Sequence, residues 1–253
     1  MSIFDKKKLF IFDKDGTLTP SKSAMQDSMA KLFMQLLTHT KVAVISGLGY
    51  TEFETQILNK LPTGASQLSN LILLPTSGTR LYLWRGSWCE QYAEHLSLQE
   101  KESIMDAISG ALTSASHQVP EKIYGNTIED RGSQITFSAL GQKAPLELKV
   151  AWDPNHEKRK KIISFLQQKI PGFDLRIGGT TSIDITRKGV NKSYGIRKLE
   201  EYLHMPPEEM VYVGDSLFYG GNDYPVKATG IDCIPVKDHI DTERLIESWL
   251  RLP

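Results

Sequence analysis

The sequence has few cysteines, no excess charge of either sign and no long apolar run. Its 253 residues include 2 cysteines, 30 basic and 30 acidic side chains. Cys89 and Cys233 lack a metal-binding or redox spacing, so we expect free thiols and a cytoplasmic protein. The balanced charge provides no long-range field, so we expect neither nucleic acid nor a membrane as a partner. No segment approaches the roughly 18 apolar residues of a transmembrane helix, and the apolar run after Lys6–Lys8 is too short for a signal peptide.

What the sequence does contain is typical of a globular α/β protein. Hydrophobic residues make up 40% of the chain and charged residues 24%. Short apolar runs at 9–12, 42–45 and 71–74 do not alternate with polar residues, which is typical of strands buried on both faces of a parallel sheet. Apolar residues at helical spacing over 25–37 complete a β-α-β unit, and the same pattern returns between 192 and 250.

The middle of the sequence has a different pattern, with mixed or alternating strand candidates at 80–84, 133–139 and 146–150 and helix candidates at 99–114 and 156–170. We therefore predict a doubly wound, Rossmann-like parallel-sheet core formed by residues 1–80 and 186–253. An α+β domain at 81–185 is expected to be inserted into it.

The strongest motif directly follows the first apolar run and reads Asp13-Lys14-Asp15-Gly16-Thr17-Leu18-Thr19. Ligands of open α/β sheets bind beyond the carboxyl ends of the strands, where this motif puts two carboxylates. Asp13, ionised at neutral pH, could attack phosphorus without a base, and Asp15 could protonate the leaving oxygen. A calcium EF-hand loop is excluded because it needs an acid or Asn at position 17 and a Glu at position 24, where the chain has Thr17 and Ala24. A purely structural aspartate-rich turn remains an alternative.

A second motif follows the apolar run 210–213 and consists of Gly214-Asp215-Ser216 and Gly220-Gly221-Asn222-Asp223. In a parallel sheet its acids converge with Asp13. Three carboxylates and a phosphate group repel one another unless a cation offsets their charge. Carboxylate, water and substrate oxygens suit Mg²⁺ better than Ca²⁺, and no cluster of Cys or His indicates Zn²⁺. The sequence therefore predicts a magnesium site.

Two weaker signals fit a phosphate ligand. Ser46-Gly47 follows the apolar run 42–45, where a hydroxyl and backbone amides could hold a phosphate oxygen, although such a pair is often only a turn. Lys192 opens a predicted helix, so its ammonium and the helix N-terminus could face an anion, although a lysine there is often merely solvated. A Gly-x-Gly-x-x-Gly dinucleotide motif and a P-loop are both absent from the sequence.

Taken together and in this order, Asp13-x-Asp15-Gly16-Thr17, Ser46, Lys192 and Gly214-Asp215 with Asn222-Asp223 resemble the motifs of the haloacid dehalogenase (HAD) superfamily of phosphotransferases. The insert resembles the type C2B cap of its subfamily IIB. Within that subfamily the eukaryotic-type phosphomannomutases are most similar, with matching residues at 15–19, 131–132, 178–184 and 220–223.

The resemblance implies a role for each motif residue. Asp13 would be the nucleophile that forms an aspartyl phosphate, and Asp15 the general acid/base. Ser46 and Lys192 would hold the phosphate, and Asp215 would bind Mg²⁺ beside Asp13 and the Asp15 carbonyl. Two further residues, Asn222 and Asp223, would support the metal or Lys192. The substrate-binding residues that it implies are Lys22, Gly47, Arg131, Lys149, Ser182 and Asp184.

The chain departs from the family where cap arginines hold the sugar phosphate. Ser138, Gln142 or Lys143, and Lys149 stand at the expected arginine positions. A mutase must hold a bisphosphorylated sugar at both ends, and Arg supplies a bidentate phosphate contact that Lys or Ser does not. We therefore favour Mg²⁺-dependent hydrolysis of a small sugar phosphate, with phosphomannomutase activity as the alternative and non-catalytic sugar-phosphate binding as a third. A homodimer through the cap is a further expectation.

Overall fold

The computed structural model describes residues 3–114, 120 and 122–251. The chain forms two compact units, one from residues 1–93 with 191–253 and the other from residues 94–190. The doubly wound α/β fold with a second, inserted α+β unit is as expected. The expected boundaries at 80/81 and 185/186 are corrected, because the chain from 80 to 93 forms two strands that pair within the first sheet.

The helices and the strands are each numbered in chain order. The helices are α1 (Ile3–Lys6), α2 (Asp27–His39), α3 (Tyr50–Gln56), α4 (Leu98–Ser114), α5 (Leu146–Trp152), α6 (Glu157–Lys169), α7 (Lys192–Leu203) and α8 (His239–Arg251). The strands are β1 (Leu9–Asp13), β2 (Lys41–Ile45), β3 (Leu71–Leu74), β4 (Arg80–Trp84), β5 (Trp88–Ala93), β6 (Ile128–Asp130), β7 (Gln134–Ser138), β8 (Phe173–Gly178), β9 (Ser182–Arg187), β10 (Met210–Gly214) and β11 (Asp232–Pro235). Across the described part of the chain, no helix has both the length and the apolar character needed to cross a bilayer.

The first unit is built on a seven-stranded sheet with the order β11-β10-β1-β2-β3-β4-β5. The five strands from β11 to β3 are parallel, whereas β4 and β5 continue the sheet as an antiparallel hairpin. Because β1 is the middle one of the five parallel strands, with β2 and β10 on its two sides, the residues that follow these three strands emerge at the same edge of the sheet.

Both faces of this sheet are covered, which explains the unbroken apolar runs. Along β1, Phe10 and Phe12 pack with Phe33 of α2 and Trp249 of α8 on one face. Their neighbours in the strand pack on the other face with α7. Successive side chains of a strand point to opposite faces, so a strand between two helical layers is apolar at every position.

The second unit has a four-stranded antiparallel sheet with the order β6-β7-β9-β8. Apolar side chains of β7 and β9, including Phe137 and Ile183, pack against α4 and α6. The alternate residues of these strands are polar and lie on the opposite face. They are Gln134, Thr136, Ser138, Ser182, Asp184 and Thr186.

The segment 146–150, expected to be a strand, is instead part of α5. Its alternating sequence Leu-Glu-Leu-Lys-Val predicts a strand only if one face is buried. In the structure Leu146, Leu148 and Val150 are all exposed, so their apolar side chains are not buried against a sheet. The strong helix formers Leu, Glu and Lys then decide the local conformation.

Helix α7 lies unusually close to the turn Thr76–Gly78 because glycines face each other there. Gly78 has φ +86°, and a Cβ on it would collide with the Gly195 Cα. A Cβ on Gly195 would lie 2.6 Å from the Ser77 carbonyl oxygen and 3.1 Å from the Gly78 Cα. Backbone atoms cannot move aside without a large energetic cost. The position of α7 therefore depends on the absence of a Cβ at Gly78 and Gly195.

We therefore expect Gly195→Ala to lower the free energy of unfolding by about 1–3 kcal/mol, as overpacking a tight contact does. Urea denaturation of the full chain measures this change. Gly172→Ala is the control, because an added Cβ there meets nothing within 4 Å. A Gly195→Ala variant as stable as the Gly172→Ala variant would contradict the close approach of α7.

Candidate active site

Three acidic side chains meet where strands β1 and β10 end. Asp13 is the last residue of β1, Asp215 directly follows β10, and Asp223 follows the next loop. One carboxylate oxygen from each lies within 4.8 Å of those of the other two. The two sequence motifs therefore converge in the fold as expected.

A buried lysine lies inside this acidic cluster. Lys192 is the first residue of α7, whose N-terminus is capped by Asn191 through a 3.2 Å hydrogen bond from the Tyr194 amide to the Asn191 Oδ1. The Lys192 Nζ donates hydrogen bonds to the Asp13 Oδ1 and, at 2.5 Å, to the Asp223 Oδ1. One ammonium thus bridges two carboxylates that lie on different loops.

The cluster contains more negative charge than Lys192 neutralises. Burial raises the pKa of Asp13 to about 7, with Lys192 opposing the shift and Asp223 adding to it. Burial and the charge of Asp223 also raise the pKa of Asp215. Burial alone would lower the pKa of Lys192, but the carboxylates of Asp13 and Asp223 outweigh it and raise that pKa. Asp13 is therefore not the ordinary carboxylate assumed from the sequence, because its ionised form needs a further positive charge.

The carboxylate of Asp223 is held from several directions. Its Oδ1 accepts hydrogen bonds from the Lys192 Nζ and, at 2.6 Å, from the Tyr212 hydroxyl, while its Oδ2 accepts the Ser216 amide at 3.0 Å. Asp223 is fully buried, and so is Tyr212. Because both oxygens already accept hydrogen bonds, Asp223 is better suited to fixing Lys192 than to binding a metal.

Asp215 is half-buried and lies against the turn of the first motif. Its Oδ2 is 2.6 Å from where a Cβ on Gly16 would stand, and Gly16 has φ +83°. The Asp215 amide donates a 3.1 Å hydrogen bond to the Thr17 hydroxyl. Gly16 therefore serves both the turn and the close approach of Asp215, and Thr17 links the two motifs.

The donor set fits a divalent cation. Asp13 and Asp215 offer carboxylate oxygens at short separation, next to an excess of buried negative charge. Oxygen donors of this kind suit Mg²⁺. Asn222 is exposed, and across the described residues no hydrogen bond joins its side chain to the cluster, so its predicted supporting role stays a prediction.

Asp15 lies outside this cluster but next to it in the turn. Its Oδ1 accepts hydrogen bonds from the Lys14 Nζ at 2.8 Å and from the Lys22 amide at 2.6 Å. Lys22 itself is exposed and has φ +56°. Of the predicted residues, Lys22 thus contacts the first motif through its backbone.

Ser46 and Gly47 emerge from β2 beside β1. The buried Ser46 hydroxyl accepts the Leu48 amide at 3.2 Å, which orients its proton for donation elsewhere. No atom outside the neighbouring residues lies within 4 Å of where a Cβ on Gly47 would stand, so the Gly47 backbone is accessible from that side. Both residues follow β2 as expected, and their phosphate-holding role stays a prediction.

Two of the predicted residues of the second unit, Ser182 and Asp184, lie on the polar side of its sheet. Ser182 pairs with Ser138 through their hydroxyls at 2.9 Å. Asp184 accepts a 2.8 Å hydrogen bond from the Thr136 hydroxyl, and burial raises its pKa. These two pairs connect β7 and β9 across the ladder.

Arg131 and Lys149 are tied to neighbours in the same unit. The Arg131 Nη2 donates to the Glu129 Oε2 at 2.7 Å, and the side-chain Nε2 of Gln142 donates to the same oxygen at 2.5 Å. The Lys149 Nζ donates to the Gln142 carbonyl at 2.7 Å. The positive charge of Arg131 is therefore matched by an acidic partner.

Two contributors were not predicted from the sequence. Tyr212 lies within an apolar strand, where its spacing indicates only a core position. Thr17 was part of the quoted motif but had no assigned role. A hydroxyl-bearing residue in an otherwise aliphatic strand just before Gly214-Asp215 is the signal that could have indicated Tyr212.

We expect Tyr212→Phe to lower the free energy of unfolding by about 1–3 kcal/mol, because a buried carboxylate loses a hydrogen-bond donor. Urea denaturation measures the change. The matched control is Tyr202→Phe, whose exposed hydroxyl lies 3.1 Å from the neutral Gln91 side chain, and whose loss should cost less than about 0.5 kcal/mol. Equal effects of the two substitutions would argue against a structural role for the Tyr212 hydroxyl.

Comparisons with known proteins agree with this geometry. A sequence model of the family described as "Eukaryotic phosphomannomutase" matches residues 29–250. The chain is 25% identical to a phosphomannomutase of Oryza sativa subsp. indica, with 86% of this chain and 85% of that protein covered. It is 26% identical to a phosphomannomutase of Encephalitozoon cuniculi over 98% of this chain and 95% of that protein.

A solved structure shares the fold. A haloacid dehalogenase-like hydrolase from Bacteroides thetaiotaomicron superposes with a TM-score of 0.65 at 15% identity, covering 96% of this chain and 99% of that one. Because the family match spans most of the sequence, the resemblance inferred from the motifs is confirmed. The chain belongs to the eukaryotic phosphomannomutase family.

Proposed function

We propose that this protein transfers the phosphoryl group of a small sugar phosphate through a covalent intermediate on Asp13. The observation that carries the proposal is the convergence of Asp13, Asp215 and the Lys192–Asp223 pair at one end of the sheet. A nucleophilic carboxylate, a fixed ammonium and a carboxylate pair suited to a cation are the groups that phosphoryl transfer needs.

In the first step an Asp13 oxygen bonds to phosphorus while the bond from phosphorus to the sugar oxygen breaks. Asp15, as a carboxylic acid, gives its proton to that sugar oxygen. In the second step Asp15 takes the proton of the incoming water or hydroxyl as that oxygen bonds to phosphorus and Asp13 leaves. The hydroxyl of Ser46 and the ammonium of Lys192 would hold the phosphoryl oxygens.

Asp13 and Asp215, with the Asp15 carbonyl, would hold a divalent cation, which we propose to be Mg²⁺. When bound, it supplies positive charge that offsets the repulsion between the carboxylates and the phosphoryl group. Asp223 would act through Lys192, whose ammonium it fixes at 2.5 Å.

For the second step we infer transfer back to a sugar, that is, interconversion of mannose 1-phosphate and mannose 6-phosphate. The support is the family match and the two relatives named above, both of which are phosphomannomutases. This inference departs from the sequence-based preference for hydrolysis. The cytoplasmic location and the homodimer through the inserted unit stay predictions.

Hydrolysis is the second candidate, and one observation favours it. A mutase needs cations to hold a second phosphate group, yet Arg131 is paired with Glu129, and Ser138 is hydrogen-bonded to Ser182. Hydrogen bonds from Arg131 and its charge overcome the effect of burial and lower the pKa of Glu129, so this pair is ionised at neutral pH. An arginine that is already paired with a carboxylate binds a phosphate group less strongly than an arginine without such a partner.

Replacing the proposed nucleophile tests the shared part of the mechanism. We expect Asp13→Asn to reduce turnover of any phosphate ester with Mg²⁺ by at least about 10³-fold, because an amide cannot form the intermediate. Asp106→Asn, at an exposed position of α4, should leave turnover unchanged. Substantial turnover by the Asp13→Asn variant would contradict the proposal.

Product analysis separates the two second steps. The full chain is incubated with mannose 1-phosphate and Mg²⁺, with and without a hexose bisphosphate, and both mannose 6-phosphate and inorganic phosphate are measured. We expect mannose 6-phosphate, with formation stimulated by the bisphosphate. Inorganic phosphate as the main product would support hydrolysis instead. No reaction with this or other sugar phosphates would favour a binding protein.

A further inference from the structure

The residue between the two motif acids is a completely buried lysine. Lys14 has 0% exposure, and a lysine is rarely buried unless its ammonium has a partner. Its Nζ contacts the Asp15 Oδ1 at 2.8 Å, the Thr19 hydroxyl at 3.3 Å and the Ser23 carbonyl at 3.5 Å. The three N–H groups of the ammonium therefore have one acceptor each, and the charged acceptor is Asp15.

This contact fixes the side chain of Asp15. The Lys14 Nζ and the Lys22 amide, at 2.6 Å, both donate to the Oδ1. A carboxylate whose one oxygen is held by two donors has little rotational freedom. The Oδ2 is then the oxygen that can exchange a proton with a reacting group.

The two buried lysines of the site serve different acids. Lys192 pairs with Asp13 and Asp223. Lys14 pairs with Asp15, whose side chain is 28% exposed and thus accessible to a substrate. A buried ammonium is costly unless its partner stays in place, so each lysine restrains its own acid.

We propose that Lys14 is a positioning residue that holds Asp15 so that its Oδ2 faces the leaving oxygen. This inference rests on the proposed function. In the first step the Asp15 proton moves to the sugar oxygen as the bond from that oxygen to phosphorus breaks. Lys14 orients Asp15 and takes no proton in this step.

The proposal predicts a dependence on the leaving group. A sugar alkoxide needs a proton as it leaves, whereas p-nitrophenolate is stable as an anion at neutral pH and does not. Lys14→Met keeps an unbranched side chain, shorter by one heavy atom, and removes its charge. Rapid-quench measurements on the full chain with Mg²⁺ compare the first turnover with mannose 1-phosphate and with p-nitrophenyl phosphate.

We expect Lys14→Met to slow sugar release in the first turnover by about 10- to 100-fold, which is part of the roughly 10²- to 10⁴-fold that general-acid catalysis contributes. The burst of p-nitrophenolate should change far less. Lys14→Gln, which can still donate a hydrogen bond to Asp15, should fall between wild type and Lys14→Met. Equal slowing of both substrates would overturn the proposal, because it would indicate a purely structural tie in the turn.

A double-mutant cycle tests whether Lys14 acts through Asp15. In an Asp15→Asn background, adding Lys14→Met should have no further effect on sugar release. Independent, multiplying effects would overturn the proposal. If the Lys14→Met variant does not fold, Lys14→Gln takes its place as the single variant. The double variant Lys14→Met/Asp15→Asn, in which both side chains are neutral, is still compared with Asp15→Asn.

The outcome for wild type keeps this inference separate from the proposed function. If wild type releases neither p-nitrophenolate nor mannose, the proposed function fails and Lys14 with it. If wild type reacts with both and Lys14→Met slows both equally, only the role of Lys14 fails.

Discussion

The bridge that Lys192 forms between Asp13 and Asp223 is the contact on which the candidate site depends. Both carboxylates are buried, and neither would remain so without a cation beside it. The Asp223 carboxylate is held in turn by the Tyr212 hydroxyl and the Ser216 amide. Even so, burial keeps the pKa of Asp13 raised, and the single ammonium of Lys192 is shared between two carboxylates.

The fold provides this arrangement through the order of its strands. With β1 between β2 and β10, three loops reach the same edge of the sheet. Lys192 is the first residue of α7, and the contact of Gly195 with the turn Thr76–Gly78 determines how closely that helix approaches the turn. The position of one ammonium therefore depends on backbone packing several residues away from it.

In the sheet of the second unit, the alternation of apolar and polar residues gives the two faces of the sheet different chemical character. In β7 and β9 apolar residues face the helices α4 and α6, and polar residues form the opposite face. On the polar side Arg131 is paired with Glu129. This pairing is a local feature of the chain, and family membership alone does not decide it.

The sequence by itself determined the parallel core, the presence of a second unit and the motif residues Asp13, Asp15, Ser46, Lys192 and Asp215, because periodicity and strand-end motifs are local signals. Only the tertiary structure decided that β4 and β5 extend the first sheet, and that the segment 146–150 is helical. It also decided the role of Tyr212 and the raised pKa of Asp13. These properties depend on which distant segment buries or contacts a residue: the Lys192–Asp13 pair spans 179 positions, and no local pattern encodes such a contact.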